Sequence, residues 1–164
     1  MNWLTAVNSR LSRMAMYVAS ACLVGLVVVV DYGVVMRYGF NSPPPFMEQV
    51  ALLLVISVAM FGASAGVRDA GHIGVDSLVR LLPERMQFWV AAIAGTLTAT
   101  FAVILLIGCT NMATSTYDHT IPILGISEAV RYIPPMIAGV LIILFSVEHL
   151  IAMFQNKKVT PSWH

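Results

Sequence analysis

Charge is what this chain has least of. Nine Lys and Arg and eight Asp and Glu make up 10% of its 164 residues, where soluble domains carry about a quarter. With 59% hydrophobic residues and a mean hydropathy of +0.84, a soluble globular domain is excluded and an integral membrane protein is implied. A net charge of +1 leaves no basic patch for nucleic acid and no acidic surface, so partners are to be sought within the bilayer and among its lipids. There are two cysteines, Cys22 and Cys109. Each sits in an apolar run with no second Cys or His at ligand spacing, which argues against a disulfide or a metal pair and for small hydrophobic roles. No nucleophile and base pair, metal-ligand cluster or phosphate-binding glycine loop is visible, so an enzyme has no residues to act through. His72, His119 and His149 fall at the ends of apolar runs or between them, whereas a membrane haem needs axial His ligands inside its helices. No cofactor is expected.

What the chain does have is length in its apolar runs. A helix crosses a bilayer core with about 20 apolar residues, and four segments qualify: 14–36, 46–67, 87–109 and 132–153. Arg10 and Arg13 resemble the start of a signal peptide, but the run after them is longer than a signal and lacks an Ala-x-Ala stop, so it is read as a span. Its many valines favour a strand in water; in lipid a lone strand leaves its backbone unpaired and a helix does not. The fold expected is therefore an all-α membrane domain over residues 1–164 with four transmembrane helices. Seven basic residues (Arg10, Arg13, Arg68, Arg80, Arg85, Lys157, Lys158) flank the spans on one side and two, Arg37 and Arg131, on the other. Basic residues are retained in the cytoplasm, which places both termini there.

Two further segments have an apolar and a charged face and are too short to cross. Residues 2–13 and 72–83 are expected as short interfacial amphipathic helices, the first with Trp3 at headgroup depth. The connection from Thr110 to Arg131 reads as an outer loop. It is either solvated or turned toward a partner.

Ionisable residues inside a membrane are where function is sought. Asp31 lies about 8 Å from Met36 at the helical rise, a depth that favours an interfacial carboxylate, hydrated or paired with Arg131, over a coupling-ion or proton site. Glu148 mirrors it near the end of the fourth span, within reach of Arg10, Arg13 or Lys157. Glu48 opens the second span, where a helix dipole favours a carboxylate, and Arg37 across the proline turn is its expected partner. Ala59, Gly62, Ala63 and Gly66, and likewise Ala91, Gly95, Ala99 and Ala102, recur at three- and four-residue spacing and let helices approach closely. No internal repeat relates the two halves, as it does in many self-contained transporters.

The stretch from Arg37 to Asp76 carries an ordered series. Arg37, Tyr38, Asn41 and Ser42 end the first span, Glu48 opens the second, and Gly62, Ala63, Arg68, His72, Ile73, Val75 and Asp76 mark its exit. This series resembles the small membrane subunit of tripartite ATP-independent periplasmic (TRAP) transporters. The resemblance implies a multi-pass protein of the bacterial inner membrane with no transport chemistry of its own. It implies two partners, a large multi-span membrane subunit that carries the substrate and sodium sites and a periplasmic substrate-binding protein. Its cargo is implied to be a carboxylate, of the C4-dicarboxylate or sialic acid type. Asp31, Arg37, Tyr38, Glu48, Gly62, Gly66, Arg68, His72, Asp76 and Arg131 then become structural or partner-facing residues. The alternative weighed against it is a stand-alone four-span exporter of the small multidrug type working around Asp31.

Overall fold

The computed structural model describes residues 2–42, 44–69, 83–121 and 125–154. Four helices account for most of them: α1 (Asn2–Gly39), α2 (Met47–Asp69), α3 (Glu84–Ser115) and α4 (Ile133–Phe154), with a 3₁₀ turn at Glu128–Tyr132 before α4. All four are long and apolar enough to cross a membrane, and the described residues form no strand.

Proline and asparagine set the first turn. Asn41 takes a left-handed backbone, φ 53°, which asparagine tolerates better than most residues. The Ser42 N–H returns to the Met36 carbonyl at 3.1 Å, and the prolines that follow prevent α1 from continuing. Alpha-helices 1 and 2 are thereby folded back on each other. Gly33 faces Met47 and Gly25 faces Leu54, while Ser12 meets Asp69, so the pair keeps one antiparallel register from end to end. Pro134 and Pro135 are buried in the first turn of α4, where the missing amide protons cost nothing.

Across the bundle, α4 is central. It packs against α2 on one side and α3 on the other, and touches α1. Its contact with α3 is close because of two glycines: a Cβ at Gly95 would stand 3.2 Å from Leu150 Cδ2, and one at Gly139 would stand 3.5 Å from the Ala102 carbonyl. Small residues on α3 are thus spent on α4. Those on α2 are not, since a Cβ at Gly62 or Gly66 would meet nothing within 4 Å. The buried apolar core lies where α1, α2 and α4 meet, at Ala15, Ala65, Leu141 and Phe145.

Hydroxyls on α3 turn inward to the helix itself. Thr96, Thr98, Thr100 and Thr110, and Thr116 at its C-cap, each donate to the carbonyl four residues back, at 2.7 to 2.9 Å. Such bonds let polar side chains face lipid without an unpaired donor.

Two expectations are corrected. The segment 2–13 is not a separate interfacial helix but the first three turns of α1, about 57 Å long in all at 1.5 Å per residue. Asn8, Ser12 and Ala15 lie buried on one face of it, and their contacts with α2 and α4 carry the helix through what looked like a boundary. The outer connection is also shorter than expected. Alpha-helix 3 runs on to Ser115, and the 3₁₀ turn covers Glu128–Tyr132. Between them Thr120 bridges Ser127, Ile121 is buried, and the Ser127 hydroxyl donates to the Tyr117 carbonyl at 2.8 Å. The expected interfacial segment 72–83, apart from Pro83, lies outside the described residues, as does the side chain of Trp3.

Candidate functional site

Among the described residues, charge is buried at the end of the bundle at which α2 finishes. Arg68 occupies the last turn of α2 and is 2% exposed. It reaches that burial because α1 and α4 both extend past it and present oxygen atoms. Its Nε donates to Glu148 Oε2 at 3.2 Å and its Nη2 to Glu148 Oε1 at 3.4 Å, a two-point contact suited to a planar guanidinium. Nη1 donates to Asp69 Oδ1 at 3.1 Å, and Nη2 also reaches the Thr5 carbonyl at 3.3 Å.

The carboxylates are held from their other sides. Asn8 Nδ2 donates to Glu148 Oε2 at 2.8 Å, and the Ser12 hydroxyl to Asp69 Oδ2 at 2.6 Å. His149 Nε2 lies 3.1 Å from the Arg68 carbonyl. A carbonyl oxygen only accepts, so Nε2 carries the hydrogen in this contact. Arg68, two carboxylates and four further groups (Asn8, Ser12, the Thr5 carbonyl and His149) therefore tie α1, α2 and α4 together at one level. Such a network holds helices in register and leaves little freedom for chemistry. Breaking it strands a buried charge.

A second, more open network stands at the opposite end. Arg131, in the 3₁₀ turn, donates to Glu128 at 2.8 Å and to the Gln49 side chain in the first turn of α2. It links the approach to α4 with the start of α2. Arg131 Nε and Ser146 Oγ are buried and without a hydrogen-bond partner among the described residues.

The residues singled out from the sequence divide accordingly. Arg68 and Arg131 are the hubs of the two networks. Glu148 is paired with Arg68 and not with Arg10 or Arg13, which lie on the exposed side of α1 while Asn8 and Ser12 take its inward face; Lys157, the third expected partner, lies outside the described residues. Arg131 goes to Glu128 and Gln49 and not to Asp31. Arg37 and Glu48 are both exposed, and among the described residues no ion pair joins them; the stiff proline turn holds the two helices without one. Tyr38 is exposed, and Gly62 and Gly66 face open space. His72 and Asp76 lie outside the described residues. Asn8, Ser12 and Asp69 were missed. Their signal was faint: polar residues four apart at 8 and 12, in a segment read as interfacial.

Between the two networks, no Asp, Glu, Lys, Arg or His occurs over 14–30, 49–67, 86–115 or 133–147. Among the described residues no group of His, Cys, Asp and Glu is placed to hold a metal ion. What fold and networks define is a multi-pass membrane protein whose two charged networks join its own helices.

Comparison with known proteins names the family. Residues 26–156 match the family model described as tripartite ATP-independent periplasmic transporters, DctQ component, and the chain belongs to that family. It is similar to a putative TRAP transporter small permease protein of Haemophilus influenzae, 26% identical over 134 residues, covering 80% of this chain and 81% of the relative. The C4-dicarboxylate TRAP transporter small permease protein DctQ of Vibrio cholerae is 26% identical over 67% of this chain and 47% of its own length. The sialic acid TRAP transporter permease protein SiaT of Haemophilus influenzae matches at 39% identity over 51 residues, 31% of this chain and 8% of that protein. The chain is thus a membrane subunit of a TRAP transporter and not an enzyme, and a multi-pass protein of the inner membrane.

Proposed function

We propose that this chain is a bracing subunit: it binds a large multi-span permease subunit and supports sodium-coupled uptake of a carboxylate solute delivered by a periplasmic binding protein. The observation that carries this reading is the empty middle of the bundle. A transporter binds its solute and coupling ion near the midplane, and there this chain offers no ionisable side chain to hold a sodium ion or to meet a carboxylate. Its charges sit at two levels of α2, Glu48 and Asp69, separated by about 32 Å of helix, close to the thickness of a bilayer core. They fix depth and hold register. Both are properties of a static support.

The cargo follows from the relatives. Two of them are named for C4-dicarboxylates and sialic acid, which share a carboxylate. The relative named for sialic acid is several times longer than this chain, as a match of 51 residues at 8% of its length requires. A large permease is the natural partner. With the termini in the cytoplasm, the Arg68 network lies at the inner surface and the Arg131 network at the outer one. The exporter reading loses ground because Asp31 stands level with the first turn of α2, at the rim and not at the centre.

Proteoliposomes test the assignment. With a sodium gradient and a binding protein loaded with a C4-dicarboxylate or sialic acid, uptake is expected only when this chain and the large subunit are both present. Uptake by this chain alone would place the transport site here and end the bracing reading.

A further inference from the structure

Three arginines stand near the level where α2 ends, and only one of them is answered within the chain. Arg68 is enclosed by Glu148 and Asp69. Arg10 and Arg13 are on the other side of α1, exposed, and among the described residues neither takes part in a hydrogen bond or an ion pair. The carboxylates at this level are out of their reach, held by Arg68 and by Asn8 and Ser12 on the inward face. Along α1 itself no Asp or Glu precedes Asp31, about 27 Å beyond Arg13.

Depth and direction both matter here. Arg10 falls between Asn8 and Ser12, whose contacts with α4 and α2 fix its level at the end of the spans. Toward the middle of the bilayer the same stripe turns apolar: Tyr17 is 65% exposed and Val24 64%, with Ala21 and Val28 exposed beside them. At 3.6 residues per turn, Arg10, Arg13, Tyr17, Ala21, Val24 and Val28 share one stripe about 80° wide. Each Cα–Cβ bond in a helix leans toward the N-terminus, which on α1 is the near end of the bundle. The arginine stems therefore run along the apolar surface and carry their guanidinium groups back to the headgroup layer. Residues three apart on a helix have Cβ atoms about 5–6 Å from each other, so both groups reach a single anion. The bilayer supplies one at this depth, the lipid phosphate.

We propose that Arg10 and Arg13 form a binding site for an anionic phospholipid of the phosphatidylglycerol type, in the leaflet at this end of the bundle, with an acyl chain along Tyr17, Ala21 and Val24. Guanidinium groups match phosphate oxygens in a two-point contact. Two of them on one phosphodiester favour a headgroup that brings no cation of its own. The site adds a lipid anchor on the side of α1 that faces away from the Arg68 network.

Native mass spectrometry of the full chain, released from nanodiscs of mixed phosphatidylglycerol and phosphatidylcholine, tests it. Phosphatidylglycerol is expected to be retained in preference. The Arg10→Gln and Arg13→Gln double variant should retain at least about fivefold less, the worth of one arginine at an anionic surface. Its melting temperature in lipid-free detergent should match the unsubstituted chain, because neither arginine has a partner there to lose. Arg37→Gln, at the other end of α1, should retain as much as before. A photo-crosslinking amino acid at Ala21 should capture phosphatidylglycerol beyond its share of the bilayer, and one at Leu97, exposed on α3, should capture the two lipids in bulk proportion. Equal retention of both lipids, or undiminished retention in the double variant, would overturn the site. An equal loss with Arg37→Gln would show overall charge at work and overturn it as well. Loss of the preference on adding inorganic phosphate at constant ionic strength would reassign the arginines to free phosphate. Poorer recovery of the large subunit with the double variant, at unchanged lipid retention, would give them to an acidic protein surface instead.

Discussion

Arg68 donates two hydrogen bonds to Glu148 across 80 residues of sequence, and the same guanidinium reaches Asp69. One cation therefore answers two carboxylates in a place that water hardly enters. Replacing it with an apolar side chain of similar length strands both. Arg68→Met is expected to cost about 3–5 kcal/mol of stability in detergent, the range for breaking a buried pair. Glu148→Gln keeps the Arg68 to Asp69 contact and should cost about 1.5–3 kcal/mol, the range for a hydrogen bond to a charged group. Combining Arg68→Met with Glu148→Met should recover part of the loss. Thermal unfolding of the four proteins reads the order directly, and equal losses for the two single variants would contradict it.

The same network explains why α1 continues toward the N-terminus. Asn8 and Ser12 are bonded to carboxylates on α4 and α2. In the Asn8→Ala and Ser12→Ala double variant the first three turns should fray while the membrane-embedded part stays. Hydrogen exchange at residues 5–12 is expected to rise by an order of magnitude or more, with little change at 20–30. Unchanged exchange in the first turns would mean that apolar contacts at Leu11 and Ala15 suffice.

Much of this was legible beforehand, for a physical reason. Apolar length has one solution in lipid, so the four helices followed from hydropathy, and the proline turn fixed the pairing of α1 with α2. Pairing of charges was not legible. Glu148 had Arg10, Arg13 and Lys157 within plausible reach, and choosing Arg68 required knowing that α4 lies next to α2, a fact set by the helix order α1, α2, α4, α3 and by no local pattern. Segment 2–13 misled because an amphipathic stretch looks the same whether its polar face meets water or two buried carboxylates.

Glycine spacing was ambiguous in the same way, and the two stripes now separate. At Gly95 a side chain must displace Leu150, whereas at Gly62 it meets open space. Gly95→Val is expected to destabilise the isolated subunit by about 1–3 kcal/mol through overpacking. Gly62→Ala should stabilise it, by up to about 1 kcal/mol, from helix propensity. Melting temperatures of the two variants moving in the same direction would show that both stripes face the chain's own helices.

The last expectation concerns which way the bundle stands. In the sequence, seven of the nine basic residues flank the apolar runs at the ends that Arg68 shares, and basic residues near span ends resist translocation. One of the seven, Arg68, is buried against carboxylates, but Arg10 and Arg13 remain exposed on α1 and keep the bias. The reporters follow from the structure. Ser127 is engaged with Tyr117, so Asp118, exposed in the turn after α3, is the better outer position, together with Ser42 in the proline turn. In a background with Cys22 and Cys109 replaced by serine, cysteine at Ser42 or Asp118 should react with a membrane-impermeant maleimide added to intact spheroplasts. Cysteine at Ser77 should react only after the membrane is opened. The reverse pattern would put the Arg68 network outside and the turn at Asn41 in the cytoplasm. It would then remove the reason for expecting Asp118 and Ser42 on the side where a binding protein delivers its cargo.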